Sequence, residues 1–161
     1  MPDAAEHYSH ASHNLEFLKT FYSTHKFNDW AITVAFYASV HIFEHSLAKS
    51  KKVTYRGFVV AGIEHSDQLP SFAGKCGIDK PSGLKIDSKS QHHIRNLLME
   101  GSTEFSSVYA YYNSLYKKSR QSRYNKFSWS DTEVDLVIKH IFVPLLKWFD
   151  EHFNTKFYFP S

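Results

Sequence analysis

Between residues 8 and 22 the apolar positions Tyr8, Ala11, Leu15, Leu18 and Tyr22 return at steps of three and four, which places them on one stripe of an α-helix. This stripe predicts a first helix ending near His25. Asn28-Asp29 then offers a side-chain cap to a second helix running to about Lys49, with Ile32, Phe36, Val40, Phe43 and Leu47 as its apolar face. Bulky groups crowd the other sides of that helix as well, so it is expected at the centre of a bundle.

The pattern weakens from Ser50 to Lys89, where Pro70, Pro81 and most of the glycines (57, 62, 74, 77, 83 and 101 in all) interrupt any long period. A short helix within Thr54 to Phe72 and an exposed loop over Ala73 to Ser88 are predicted there, with no convincing strand. Helical spacing resumes over Ser90 to Met99 and again from Thr103 to about Tyr124, where Phe105, Val108, Tyr112 and Leu115 form a stripe and Gly101 divides or bends the pair. Ser130-Asp131-Thr132-Glu133 has the spacing of a reciprocal cap before Val134, Val137, Ile138, Ile141, Leu145 and Trp148. Pro144 is expected to kink that last helix. The whole reads as all-α, an antiparallel four- to five-helix bundle in a single domain over residues 1–161 with an irregular insert at about 50–89.

Composition agrees with one well-filled core, since 161 residues include fourteen Phe, ten Tyr and three Trp. The single cysteine, Cys76, excludes an internal disulfide and a four-cysteine zinc site, and sits in a Gly-rich stretch without an activating pattern. The first residues lack the basic start and apolar run of a signal peptide, and no apolar stretch reaches membrane-span length, so a cytoplasmic protein without membrane association is expected. A net charge of +3 does not by itself establish nucleic-acid binding.

Local patterns narrow the chemistry. Trp30, Val34, Tyr37, His41, Glu44 and Ala48 share one side of the second helix, a seam on which Glu44 or a basic neighbour could tune the His41 imidazole for acid or base work. His41-Ile42-Phe43-Glu44-His45 also satisfies the H-x-x-E-H pattern of inverted zinc peptidases, but no downstream glutamate ligand is announced, so no metal is assigned. Tyr109, Tyr112, Tyr116, Arg120 and Arg123 line another helix face. The run Lys117 to Lys126 around it holds five basic residues and no acid, which suits phosphate contact beside phenols that stack on bases. Arg120 and Arg123 are the stronger candidates, because planar multi-donor groups match phosphate. His92 and Arg95 stand one turn apart near the start of another helix and can face one substrate. Glu64-His65-Ser66-Asp67 contains acid, base and nucleophile types, but adjacency in sequence is not triad geometry.

Asp29-Trp30-Ala31, Phe36-Tyr37-Ala38-Ser39-Val40-His41, His92 with Arg95-Asn96, and Tyr112 through Leu115 to Ser119-Arg120-Gln121-Ser122-Arg123-Tyr124 together resemble the HEPN superfamily of small helical bundles, over residues 29 to 124. The resemblance implies a bundle that commonly dimerises and, in active members, a cofactor-free, metal-independent ribonuclease site of toxin or defence systems. Carried onto this chain, it implies proton transfer by His41 or His92, phosphate held by Arg95, Arg120 and Arg123, and RNA or nucleotide contacts from Tyr112, Tyr116, Lys117 and Tyr124. The chain departs from the family's nuclease pattern, since none of Arg56, Arg95, Arg120 or Arg123 is followed by histidine after four to six residues. The alternative implied is a non-catalytic interaction module that partners a nucleotidyltransferase or another bundle.

Overall fold

Helix α1 (Ala4–Thr24) starts on a reciprocal cap that the apolar spacing did not reveal: the Asp3 carboxylate accepts from the amides of Ala5 and Glu6, and the Glu6 carboxylate accepts from the Asp3 amide at 2.8 Å. His25 ends it in the left-handed region. The structure, a computed structural model, describes residues 2–76, 91–125 and 128–160, with backbone only over 73–76.

Helix α2 (Asn28–Ser50) is the centre. From Ala31 to Ala48 every residue is buried except Tyr37 and His41, and α1, the fifth helix and the last helical segments all pack on it. Asn28 does not cap this helix. It lies within the first turn, and its Nδ2 donates to the Trp129 carbonyl at 2.8 Å and to the Asp131 carboxylate at 2.9 Å, tying the start of α2 to the start of the last helix.

Strands β1 (Lys52–Tyr55) and β2 (Phe58–Ala61) form an antiparallel hairpin where none was expected. Its Arg56-Gly57 turn has positive φ at both residues, 47° and 84°, the type I′ geometry that matches strand twist. Tyr55 bridges to Ser102, the Arg56 amide donates to the Gly101 carbonyl at 2.8 Å, and the Thr103 amide donates to the Thr54 carbonyl at 2.9 Å. Glu104 completes the seam by accepting from the Thr54 amide and hydroxyl.

A 3₁₀ turn (Ser66–Gln68) leads into α3 (Leu69–Cys76), and α4 (Gln91–Gly101) follows later in the chain. Residues 73–76 therefore belong to a helix, whereas the loop expected over 77–88, like the Cys76 side chain, lies outside the described residues. Helix α5 (Tyr109–Tyr124) begins later than the Thr103 start predicted, because residues 102–104 are engaged with the hairpin; Phe105 and Val108 are buried from turns instead. The Ser130–Glu133 cap forms as predicted and opens α6 (Asp131–Val137). One π turn (Ile138–Phe142) connects it to α7 (Val143–Phe153). The disturbance expected at Pro144 thus takes the form of a widened register just before it, with the Val143 amide bonded to the Ile138 carbonyl. The chain is mostly helical with one small sheet, and no helix among the described residues is long and apolar enough to cross a membrane.

Candidate functional site

Glu44, one turn beyond His41, has no exposed surface. An isolated carboxylate there would be costly, and the fold surrounds it with donors. Arg95 of α4 brings its Nε to 2.5 Å from Glu44 Oε1, the Ser66 amide donates to the other oxygen at 3.0 Å, and the Ser66 hydroxyl donates to the same carboxylate. Burial alone would raise the Glu44 pKa, but the Arg95 charge, His65 and the Ser66 hydrogen bond outweigh it and hold the group below its ordinary value. Arg95 is only 5% exposed, and Glu44 keeps it charged against the same burial.

That ion pair orients His92. Arg95 Nη1 lies 3.3 Å from His92 Nδ1, and since a guanidinium only donates, Nδ1 must accept and the neutral ring carries its proton on Nε2. Burial first, then the Arg95 and Arg123 charges, lower the His92 pKa and keep it neutral. Its ring centroid lies 5.4 Å from that of Phe36, 5.8 Å from Tyr116 and 6.2 Å from Tyr37.

Tyr37 links this group to the end of α5. Arg123 Nη1 donates to the Tyr37 hydroxyl at 3.1 Å and its Nε to the Ser119 carbonyl at 3.3 Å, and the guanidinium stands 5.7 Å from the Tyr37 ring and 5.4 Å from the Tyr124 ring. Arg120 stands 5.9 Å from the Tyr116 ring. Beside Arg123 opens a pocket of about 390 Å³ lined also by Asp29, Trp30, Thr33 and Ser122, with the Trp30 indole 54% exposed.

His41 belongs to a neighbouring cluster. Its Nδ1 is 3.0 Å from His7 Nδ1, a contact that requires one ring to donate and the other to accept, and His10 meets His41 edge-on at 4.8 Å. Burial, then the proximity of His7 and His10, push the His41 pKa down to about 4, and Glu44 opposes this only weakly. Of the two kinds of group expected to tune His41, Glu44 is bound to Arg95, and Arg95 is the basic neighbour that adds to the lowering. His45 Nδ1–H donates to the Ala4 carbonyl, 2.7 Å away, so the letters of the H-x-x-E-H pattern turn to separate partners. Among the described residues no three His, Cys, Asp or Glu side chains converge as a metal cluster would require. His65 pairs with Asp67 at 2.7 Å while Ser66 points to Glu44, so no triad forms.

Of the residues singled out in the sequence, His92, Arg95, Arg120, Arg123, Tyr116 and Tyr124 gather in one region where α2, α4 and α5 meet, and His41 lies one turn along α2. Tyr112 requires correction. It is fully buried against Phe36 and Phe43, so it cannot stack on a base; the helical stripe that suggested a binding face is at this point the core face. Arg95 likewise lies inside the protein, engaged with Glu44, and acts on the site through His92. Lys117 is exposed on α5, and Lys126 lies outside the described residues. Sequence reasoning missed that Asp29 and Trp30 line one pocket with Arg123, which brings together helices far apart in the chain. The one available signal was the polar seam on an otherwise apolar α2. No family model, curated protein or solved structure matches this chain.

Proposed function

We propose that this protein is a HEPN-like RNA- or nucleotide-binding protein whose site is the cleft framed by Tyr37, His92, Arg120 and Arg123. The observation that carries the reading is Arg123: a guanidinium anchored by Tyr37 and Ser119 beside an open aromatic pocket, whose Nη2 donates to no acceptor among the described residues. His92 adds its Nε2–H. In this tautomer the ring donates to a phosphate oxygen or a leaving group and does not accept a ribose 2′-hydroxyl proton, so in an endoribonuclease reaction the base falls to His41. A second reading, a non-catalytic module pairing with a second copy, a nucleotidyltransferase or another bundle, is favoured by the exposed aromatic row of Phe17 and Phe27 with Phe21 between them.

The test is a gel-shift and cleavage assay with structured RNA, with and without chelator, on wild type, Arg120→Ala, Arg123→Ala and His41→Ala. Binding lost in both arginine variants supports the site. Chelator-resistant cleavage lost in His41→Ala adds the endoribonuclease. Absence of RNA affinity at low salt overturns the reading in favour of the interaction module.

A further inference from the structure

The pocket beside Arg123 holds two opposite charges that do not pair. Asp29 and Arg123 both line it, yet the Asp29 carboxylate makes no ion pair or side-chain hydrogen bond with any described residue. Its carboxylate, in the first turn of α2, gives the pocket a negative wall opposite the guanidinium. The exposed Trp30 indole lies among these walls, and Thr33 cannot neutralise the carboxylate because its hydroxyl donates to the Asp29 backbone carbonyl at 2.9 Å.

A ligand that satisfies this arrangement is anionic at one end, flat in the middle and rich in donors at the other. A nucleotide has that form. Its phosphate is drawn to Arg123 and repelled by Asp29, which sets the direction of entry, and its base can stack on the indole. The carboxylate then selects among bases. With no donor of its own, it accepts two parallel hydrogen bonds when a base presents two adjacent N–H groups. Guanine does so with N1–H and the N2 amino group. Adenine and cytosine place a ring acceptor next to their amino group, which faces the carboxylate unfavourably, and uracil offers a single N–H.

We infer that Asp29, Trp30 and Arg123 form a guanine-nucleotide subsite that makes the RNA contact guanine-selective. The inference rests on the phosphate-site reading above and adds base selectivity to it. Arg123 supplies affinity, Trp30 a stacking surface, and Asp29 discrimination.

The experiment uses the full chain and two kinds of probe: the four nucleoside 3′-monophosphates followed by tryptophan quenching, and short single-stranded RNAs with one G, A, C or U in an otherwise constant context followed by fluorescence anisotropy. Wild type is expected to prefer the guanine probes about tenfold or more, because a site built on paired acceptors rejects bases that leave them unmatched. Asp29→Asn replaces one acceptor by a donor of equal size and is expected to erase that preference while leaving adenine binding within about twofold, as judged against the loss of one charged hydrogen bond. Arg123→Ala should weaken all four probes together, and circular dichroism melts confirm that each variant is folded. RNA bound by wild type without guanine preference, or a preference unaltered in Asp29→Asn, overturns the guanine subsite and leaves the phosphate site standing. No binding of any probe overturns both.

Discussion

Replacing Glu44 by Met keeps most of the side-chain volume but removes the countercharge from a guanidinium that is 5% exposed. Breaking one member of a buried pair costs about 3–5 kcal/mol, because the survivor is left charged in a medium that solvates it poorly. Arg95→Met is expected to cost a similar amount from the other side, since Glu44 has no exposed surface and keeps only Ser66 as a close donor. Replacing both by Met removes the two charges together. The remaining penalty is then the Ser66 amide and hydroxyl without their acceptor, about 1–3 kcal/mol. The double variant should therefore be more stable than the sum of the singles by several kcal/mol, and urea unfolding followed by circular dichroism and tryptophan fluorescence measures all four corners. In a chain of this size each single variant should lower the melting temperature by roughly 6–20 °C. Acid adds a second signature. Because Glu44 is held below its ordinary pKa of 4.5, its contribution is present above that pH and is lost as pH falls through the lower folded value, a dependence that Arg95→Met should flatten. Single variants costing under about 1 kcal/mol, or a double equal to their sum, would refute the coupling.

The His41 imidazole, with a folded pKa of about 4 against 6.5, favours folding while neutral, so stability should decline as pH falls from 6.5 toward 4. His7, His10, Glu44 and Arg95 face it. After discounting for its partial exposure the loss is about 2 kcal/mol, visible as a urea-midpoint slope that His41→Gln reduces. Gly101→Ala would set a methyl 2.9 Å from Tyr55 Cδ2 and closer still to Cε2, an overlap expected to cost about 1–3 kcal/mol in a melt, relieved by Tyr55→Leu. Ser130→Ala removes the acceptor of the Glu133 amide and should cost about 1 kcal/mol, measured by the same unfolding curves.

Period and capping letters carried much of the helical frame: α1, the reach of α2 and the Ser130–Glu133 start of α6 are all local properties of the chain. The hairpin escaped because its strands are four residues long, too short for alternation to register against neighbouring helical signals. Val53, Val59 and Val60 around Arg56-Gly57 were the available cue. Phe105 shows a different limit, since an apolar residue at helical spacing can be buried equally well from a turn. For the site, the polar stripe of α2 was readable, but the partner of each polar group was not. Glu44 meets an arginine 51 positions away, and Arg123 meets Tyr37 across 86. Which tyrosine of the α5 stripe faces inward also depends on how α5 rolls against Phe36 and Phe43, a tertiary choice.

The bridge between Tyr55 and Ser102 brings the chain back to its point of departure, so everything from the β2 strand to α4 is an excursion leaving and rejoining at one backbone knot. Lengthening such a detour costs little, about 0.6 kcal/mol per doubling. The phase of α5, and with it the reach of Arg120 and Arg123, is thus set by the join of Tyr55 to Ser102 and not by the length of chain that lies between them.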